Sequence, residues 1–170
     1  MKWLFAAMVS MVTSSALAAD ASQGLDRIAA YAGSWQTSMH QLDTPYSKAG
    51  DESHLLRNDC WRSAGFYACD QIVDGISQAL LVFLYDAKTG NYSSYPIPAG
   101  GAPQVQPGRL DIAGDTWTFP WDVTAQGKTT HFRVVNVWRS PDSIEFRQEY
   151  SADGIHWTLM AEGQEVRIKG

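Results

Sequence analysis

The chain has almost no cysteine, no concentration of basic residues and no unbroken apolar run of membrane-spanning length. Thirteen Lys and Arg stand against eighteen Asp and Glu, for a net charge of −5. Such a surface repels phosphate backbones, so nucleic acid is not an expected partner. The longest apolar stretch, Trp3 to Val12, is broken by Ser10 and followed by Thr13, Ser14 and Ser15. A span needs about 20 apolar residues, so no transmembrane segment is expected in the mature chain. Two cysteines without a CxxC spacing, and histidines at 40, 54, 131 and 156 with no i, i+4 pairing, make no metal signature. The Gly-x-Ser-x-Gly elbow of serine hydrolases is also missing. Neither a catalytic residue nor a metal or cofactor is therefore assigned.

What is present begins with Lys2, an apolar core and the small-residue ending Ala16-Leu17-Ala18. A positive start, a short apolar run and an Ala-x-Ala site are the marks of a cleavable secretory signal, residues 1–18. The remainder, residues 19–170, suits one domain with one core, placed in the periplasm or outside the cell. In such a compartment disulfides persist, and the even pair Cys60 and Cys69 at short separation favours a bridge across a hairpin, two free buried thiols being the alternative.

Asp20 to Gln23 resembles a capping box. Leu25, Ile28, Ala29 and Ala32 then follow at i, i+3, i+4, i+7, and Gly33 is placed to stop a short helix. Beyond Gly33 the pattern alternates, with turn residues every ten to fifteen positions. Strands are expected near 34–42, 54–62, 66–74, 79–85, 91–97, 109–113, 116–123, 129–138, 143–150 and 156–168. Short turns such as Asp86 to Gly90, Ala113-Gly114-Asp115 and Ala152-Asp153-Gly154 favour antiparallel neighbours. The Pro- and Gly-rich segment from Pro96 to Gly108 reads as a loop over the mouth of a barrel, a disordered insertion being the alternative.

Trp117, Phe119, Trp121 and Val123 share one face against Thr116, Thr118 and Asp122. Ile144, Phe146, Gln148 and Tyr150 likewise oppose Glu145, Arg147 and Glu149, which points those acids outward. Ten strands with one apolar face and uninterrupted hairpin connections close most directly into an up-and-down barrel. The fold class is thus all-β, a single antiparallel barrel of about ten strands with a short N-terminal helix.

Gly33-Ser34-Trp35 after a short helix resembles the Gly-x-Trp signature of the calycin superfamily, the lipocalins and their relatives. The run Tyr85-Asp86-Ala87-Lys88-Thr89-Gly90-Asn91-Tyr92 is similar to the middle hairpin of bacterial lipocalin-like exported domains of unknown function. Gly108-Arg109-Leu110, Trp117-Thr118-Phe119, Asp153-Gly154 and Arg167 continue the likeness. It implies that Trp35 closes the base of the barrel beneath Leu25 and Ile28 with Arg167 near its ring, a bulge around Gly163 being able to shift the strand's parity. Some such barrels hold haem through one late histidine, for which His156 is the positional candidate, but two residues past Gly154 it falls at a turn. The Thr-Asp-x-x-Tyr element of true lipocalins is missing, so hormone or pheromone carriage does not follow.

The remaining signal is aromatic. Seven Trp and seven Tyr are many for this length. Phe83, Tyr85, Trp117, Phe119, Trp121, Phe146 and Tyr150, with the amides Asn136 and Gln148 among apolar neighbours, are the candidate walls of a cup, a barrel filled by its aromatics being the alternative. Such a cup suits a small hydrophobic or amphipathic ligand. An isomerase or hydrolase acting on an apolar substrate in the same cavity is the alternative, and an envelope structural or interaction module a third. The exported protein should begin at Ala19 or Asp20; an intact mass retaining Met1 would remove the secretory signal.

Overall fold

The structure is a computed structural model and describes residues 24–101 and 108–169. The secretory leader, the capping box and the centre of the Pro-rich loop lie outside the described residues.

Ten strands follow one another: β1 Gly33–Gln41, β2 Gly50–Arg62, β3 Tyr67–Val73, β4 Ile76–Asp86, β5 Asn91–Pro98, β6 Gly108–Ala113, β7 Thr116–Ala125, β8 Lys128–Ser140, β9 Ser143–Ser151 and β10 Thr158–Arg167. Each pairs antiparallel with its sequence neighbour, and β1 pairs with β10, so the sheet closes as an up-and-down barrel. Closure leaves no edge to pair with another chain. All ten expected strands are present. Tight turns make the connections possible: Asp74-Gly75 and Gln126-Gly127 both take positive φ, the twist that a two-residue hairpin demands. At Asp86 the carboxylate accepts from the Lys88 amide and the Thr89 hydroxyl, which fixes the turn of the motif that runs to Tyr92.

Residues 24–28 form a short α-helix that tightens into a 3-10 turn at Ala29–Tyr31. Leu25 and Ile28 are buried as the periodicity predicts, but Ala29 is exposed. The tightened last turn is the reason, because it swings Tyr31 toward the barrel in place of Ala29. Tyr92 donates its hydroxyl proton to the Gly24 carbonyl, Arg62 pairs with Asp26, and Arg27 donates to the Gly114 carbonyl. The helix is thereby tied across one end of the barrel as a plug.

Gly33 takes φ +115, and a Cβ there would sit 2.7 Å from the Arg167 guanidinium. That guanidinium lies 4.0 Å over the Trp35 ring, and Trp35 is fully buried. Trp35 packs with Leu56, Ile144 and Trp138, whereas Leu25 and Ile28 pack with Tyr67, Phe83, Tyr92, Leu110 and Trp117. Tyr31 touches both groups and joins them. Cys60 and Cys69 face each other across β2 and β3 and are bonded, their α-carbons 4.0 Å apart.

The one break in the β9–β10 register lies between Leu159 and Ala161, above Gly163 rather than at it. Gly163 answers a different need: a Cβ there would meet the Ser38 carbonyl at 2.1 Å and the Phe146 ring at 2.6 Å. The wall is therefore pinched where β1 and β9 approach β10. Gly163→Ala should destabilise the fold by about 1 to 3 kcal/mol, since backbone rather than a flexible side chain must give way; chemical denaturation showing no loss would contradict this close approach.

Candidate ligand-binding cup

Side chains grow smaller up the barrel. At the plugged end Trp35, Trp117, Trp138 and Phe83 fill the interior, with Tyr31 edge-on to Trp117 and Trp138 at 5.1 and 5.5 Å between centroids. One turn of pleat higher, the inward positions are Thr37 and Met39 of β1, Leu56 and Asn58 of β2, Gln71 and Val73 of β3, Leu81 of β4 and Val134 of β8. These cannot fill the cross-section. A cavity of about 400 Å³ results, floored by Tyr31 and walled further by Phe83, Phe119, Phe146, Asn136, Gln148 and Glu165.

Five of the nine residues read as cup walls from the sequence line it: Phe83, Phe119, Asn136, Phe146 and Gln148. The other four lie elsewhere. Tyr85 packs on Tyr92 in a tilted contact and fills the space above Gly24, at the plug. Trp117 is buried beneath Tyr31. Trp121 and Tyr150 keep the inward parity but sit at the open rim, because β7, β8 and β9 run on past the cup. Trp121 is 44% exposed and stacks on Phe132, and Tyr46 from the β1–β2 loop packs on both Phe132 and Tyr150. Trp35 and Arg167 are at the closed end, and His156 is exposed at its turn, held by Asp153.

The floor is anchored by polar contacts. The Tyr31 carbonyl accepts from the Trp35 indole at 3.1 Å and from the Asn58 amide at 3.2 Å, and its hydroxyl oxygen accepts from the Asn136 amide at 2.7 Å. Asn136 thus finds the partner that a buried amide requires. Gln148 has only the Met39 sulfur at 3.9 Å. Three polar side-chain atoms are buried without a partner among the described residues: the Thr37 hydroxyl, the Asn58 side-chain oxygen and, against Tyr31 on the packed side of the floor, the Trp138 indole nitrogen.

Sequence reasoning did not single out Glu165. It lies on β10 between Gly163 and Arg167, opposite Thr37 and Ile144, and lines the cavity. Burial alone pushes its carboxyl up to about 7, with no hydrogen bond or cation offsetting the desolvation. Burial, reinforced by the Glu165 charge, also raises the Tyr31 phenol well above its ordinary value, so that hydroxyl stays protonated. At the mouth His54 faces inward with its ring 2.7 Å from Asp74 and 3.4 Å from Glu52; those hydrogen bonds raise its pKa. Another, more open depression, about 760 Å³, lies on the outer face over β1, β2, β8, β9 and β10. Its outward side chains include His40, Asp51, Arg139, Glu145 and Arg147, a solvated charged surface, and it meets the cup only at Met39 and Phe146. No three His, Cys, Asp or Glu side chains among the described residues are grouped to hold a metal ion.

No family model matches the chain, and no curated protein matches it. Among solved structures, Rv2717c from M. tuberculosis is similar, at 12% identity and a TM-score of 0.49, covering 86% of this chain and 98% of that one. A structure of EF1p2_mFAP2b bound to DFHBI covers 89% and 99% at 14% identity and a TM-score of 0.34. A redesigned β barrel, b11L5F_LGL, covers 83% and 94% at 13% identity and a TM-score of 0.37. At these identities and scores nothing about ligand or activity follows.

The raised carboxyl of Glu165 has a consequence for stability. Folded protein holds this proton up to about pH 7, while an unfolded chain releases it near 4.5. The folded state therefore binds more protons across that window, and stability falls as pH rises through it. At about 1.4 kcal/mol per pH unit the loss is on the order of 3 kcal/mol. Glu165→Gln should accordingly raise the melting temperature above neutral pH and gain little in mild acid; an equal effect at both pH values would contradict a buried, uncompensated carboxyl.

Proposed function

We propose that this chain is an exported, calycin-like barrel that holds a small hydrophobic or amphipathic molecule non-covalently in its cup. The observation that carries the reading is the cavity of about 400 Å³, with aromatic and aliphatic walls and unpartnered polar atoms near its floor. Cavities of roughly 300 to 1,000 Å³ with apolar walls and few polar groups are the usual form of small-molecule sites. A barrel serving only as a structural module has no need to leave Asn58 and Thr37 unsatisfied, because each such group costs about 1 to 3 kcal/mol. The disulfide, and the lack of any described helix long and apolar enough to cross a membrane, are compatible with export.

An enzyme working in the same cup is the second reading, and Glu165 is the observation in its favour. A buried carboxyl with a pKa near neutrality is suited to accept and return a proton, and the Tyr31 hydroxyl could donate to a developing oxyanion. Deuterium wash-in at the α-carbon of apolar ketones, lost in Glu165→Gln, would mark that activity.

Binding itself is tested with Nile red, a neutral apolar dye. It should bind with enhanced dye emission and quenched tryptophan emission. Val134→Phe, which fills the cup from β8, should weaken it by about tenfold or more at unchanged secondary structure. Equal binding by that variant would place the dye outside the cup and remove the reading.

A further inference from the structure

We propose that the deep end of the cup selects ligands carrying a protonated amine, with Glu165 as counter-ion and the aromatic walls enclosing the apolar body. This inference rests on the binding reading above and adds the chemistry of the head group.

An ionised carboxylate accepts only, and nothing in the cup donates to Glu165 or neutralises it. The Asn58 side-chain oxygen is a second acceptor, buried and unpaired because the amide nitrogen of the same side chain is spent on the Tyr31 carbonyl. The cup's own donors are the Tyr31 and Thr37 hydroxyls, whose oxygens also accept, and the Gln71, Asn136 and Gln148 amides, Asn136 being bonded to the Tyr31 oxygen and Gln148 to the Met39 sulfur; none of them is bonded to Glu165. The deep end therefore asks for a donor-rich guest. An ammonium group, with three N–H donors and no acceptor, meets that demand; a carboxylate or phosphate would add acceptors where acceptors are already in surplus.

Charge points the same way. His54 is the one cationic type lining the cup; it sits at the mouth and is claimed by Asp74 and Glu52. Arg167, two residues along β10, is turned to the closed end, where it covers the Trp35 ring, donates to the Ala30 and Ala32 carbonyls and pairs with Asp142. Among the described residues no Lys or Arg lines the cup to shield Glu165 or to attract an anion. The faces of Tyr31, Phe83, Phe119 and Phe146 add a favourable field for a cation, since aromatic quadrupoles present negative faces.

The pH dependence follows from the groups that line the cup with Glu165 or pair beside it: Tyr31 from the plug, His54 from β2, and the non-titrating Thr37, Ile144, Phe146 and Asn136 from β1, β9 and β8. Tyr31 keeps its proton across the neutral range, so Glu165 and, at the mouth, His54 are the groups that change. Protonation of either opposes a cation, and amine affinity should fall as pH drops below about 7.

The test is isothermal titration of the full chain with three matched probes: phenethylamine, phenethyl alcohol and phenylacetate. Near pH 8 the amine should bind about tenfold or more tightly than the alcohol, and phenylacetate weakest of all. In Glu165→Gln the ratio of amine to alcohol affinity should collapse to within about threefold. Should that variant not fold, the wild-type pH profile decides, with amine affinity falling toward about pH 6 and alcohol affinity steady. Equal binding of amine and alcohol, or a Glu165→Gln variant that keeps the preference, overturns the amine proposal and leaves the cup reading standing. Silence from all three probes together with Nile red overturns both.

Discussion

A barrel closes only if its last strand meets its first, and here Arg167 secures that seam. Its guanidinium lies over Trp35 of β1, donates to the carbonyls of Ala30 and Ala32 at the end of the plug, and pairs with Asp142 in the β8–β9 turn. A planar group with five donors can hold so many partners at once, where an ammonium could not match the geometry. Three consequences follow. Gly33 must lack a side chain because the guanidinium occupies that space. The chain leaves the plug in a fixed direction, and Tyr31, one residue before Ala32, is set over the buried tryptophans.

Tyr31 then converts closure into a floor. Its backbone carbonyl is claimed by Trp35 and Asn58, and its hydroxyl oxygen by Asn136, so three strands fix one residue. Below it lies a packed core of aromatic and aliphatic side chains. Above it, the polar atoms are those that the anchoring leaves over: Asn58 spends its donor on the Tyr31 carbonyl and keeps its oxygen buried without a partner, and Asn136 gives its own donor to the Tyr31 hydroxyl. The chemistry of the cup is in this sense a by-product of how the plug is held, with Glu165 added from β10.

The strands were legible because alternation and turn residues are local properties. Asp86 to Gly90, Gly114, Gly127 and Gly154 punctuate the chain wherever φ must turn positive or a carboxylate must cap a turn, and a reader needs no tertiary information to see them. The cup was half legible. Phe83, Phe119, Asn136, Phe146 and Gln148 follow from strand parity, but parity does not give height along the barrel axis, and so Tyr85, Trp117, Trp121 and Tyr150 share the face without sharing the cavity. Tyr31 was hidden because an i, i+3, i+4 pattern assumes an α-helix to its end, and the final 3-10 turn breaks that assumption. Glu165 had a signal, its parity with Arg167. A charged residue on a strand reads as outward by default, and the shift expected near Gly163 obscured the rest; the irregularity lies higher, at Leu159 to Ala161, and leaves the parity of Glu165 intact.

Why the interior is a cup rather than a filled core is decided by the sizes of side chains at one level. Trp35 of β1 is followed inward by Thr37, Trp138 of β8 is preceded inward by Asn136 and Val134, and Cys69 of β3 is followed inward by Gln71 and Val73. On β1 and β8 the step up exchanges a tryptophan for a smaller residue, β3 offers no aromatic at this level, and ten strands set a circumference that does not shrink to compensate. Above that level Trp121, Phe132 and Tyr150 restore bulk at the rim, where Tyr46 leans across from the β1–β2 loop. The void is thus bounded at both ends by aromatics and hollow between them. Close packing would normally oppose such a void, because its lining atoms forgo contacts and an uncompensated carboxyl adds its own desolvation. A fold that keeps both is more stable when something occupies the space, and the group that most relieves it is one that brings protons and positive charge to Glu165.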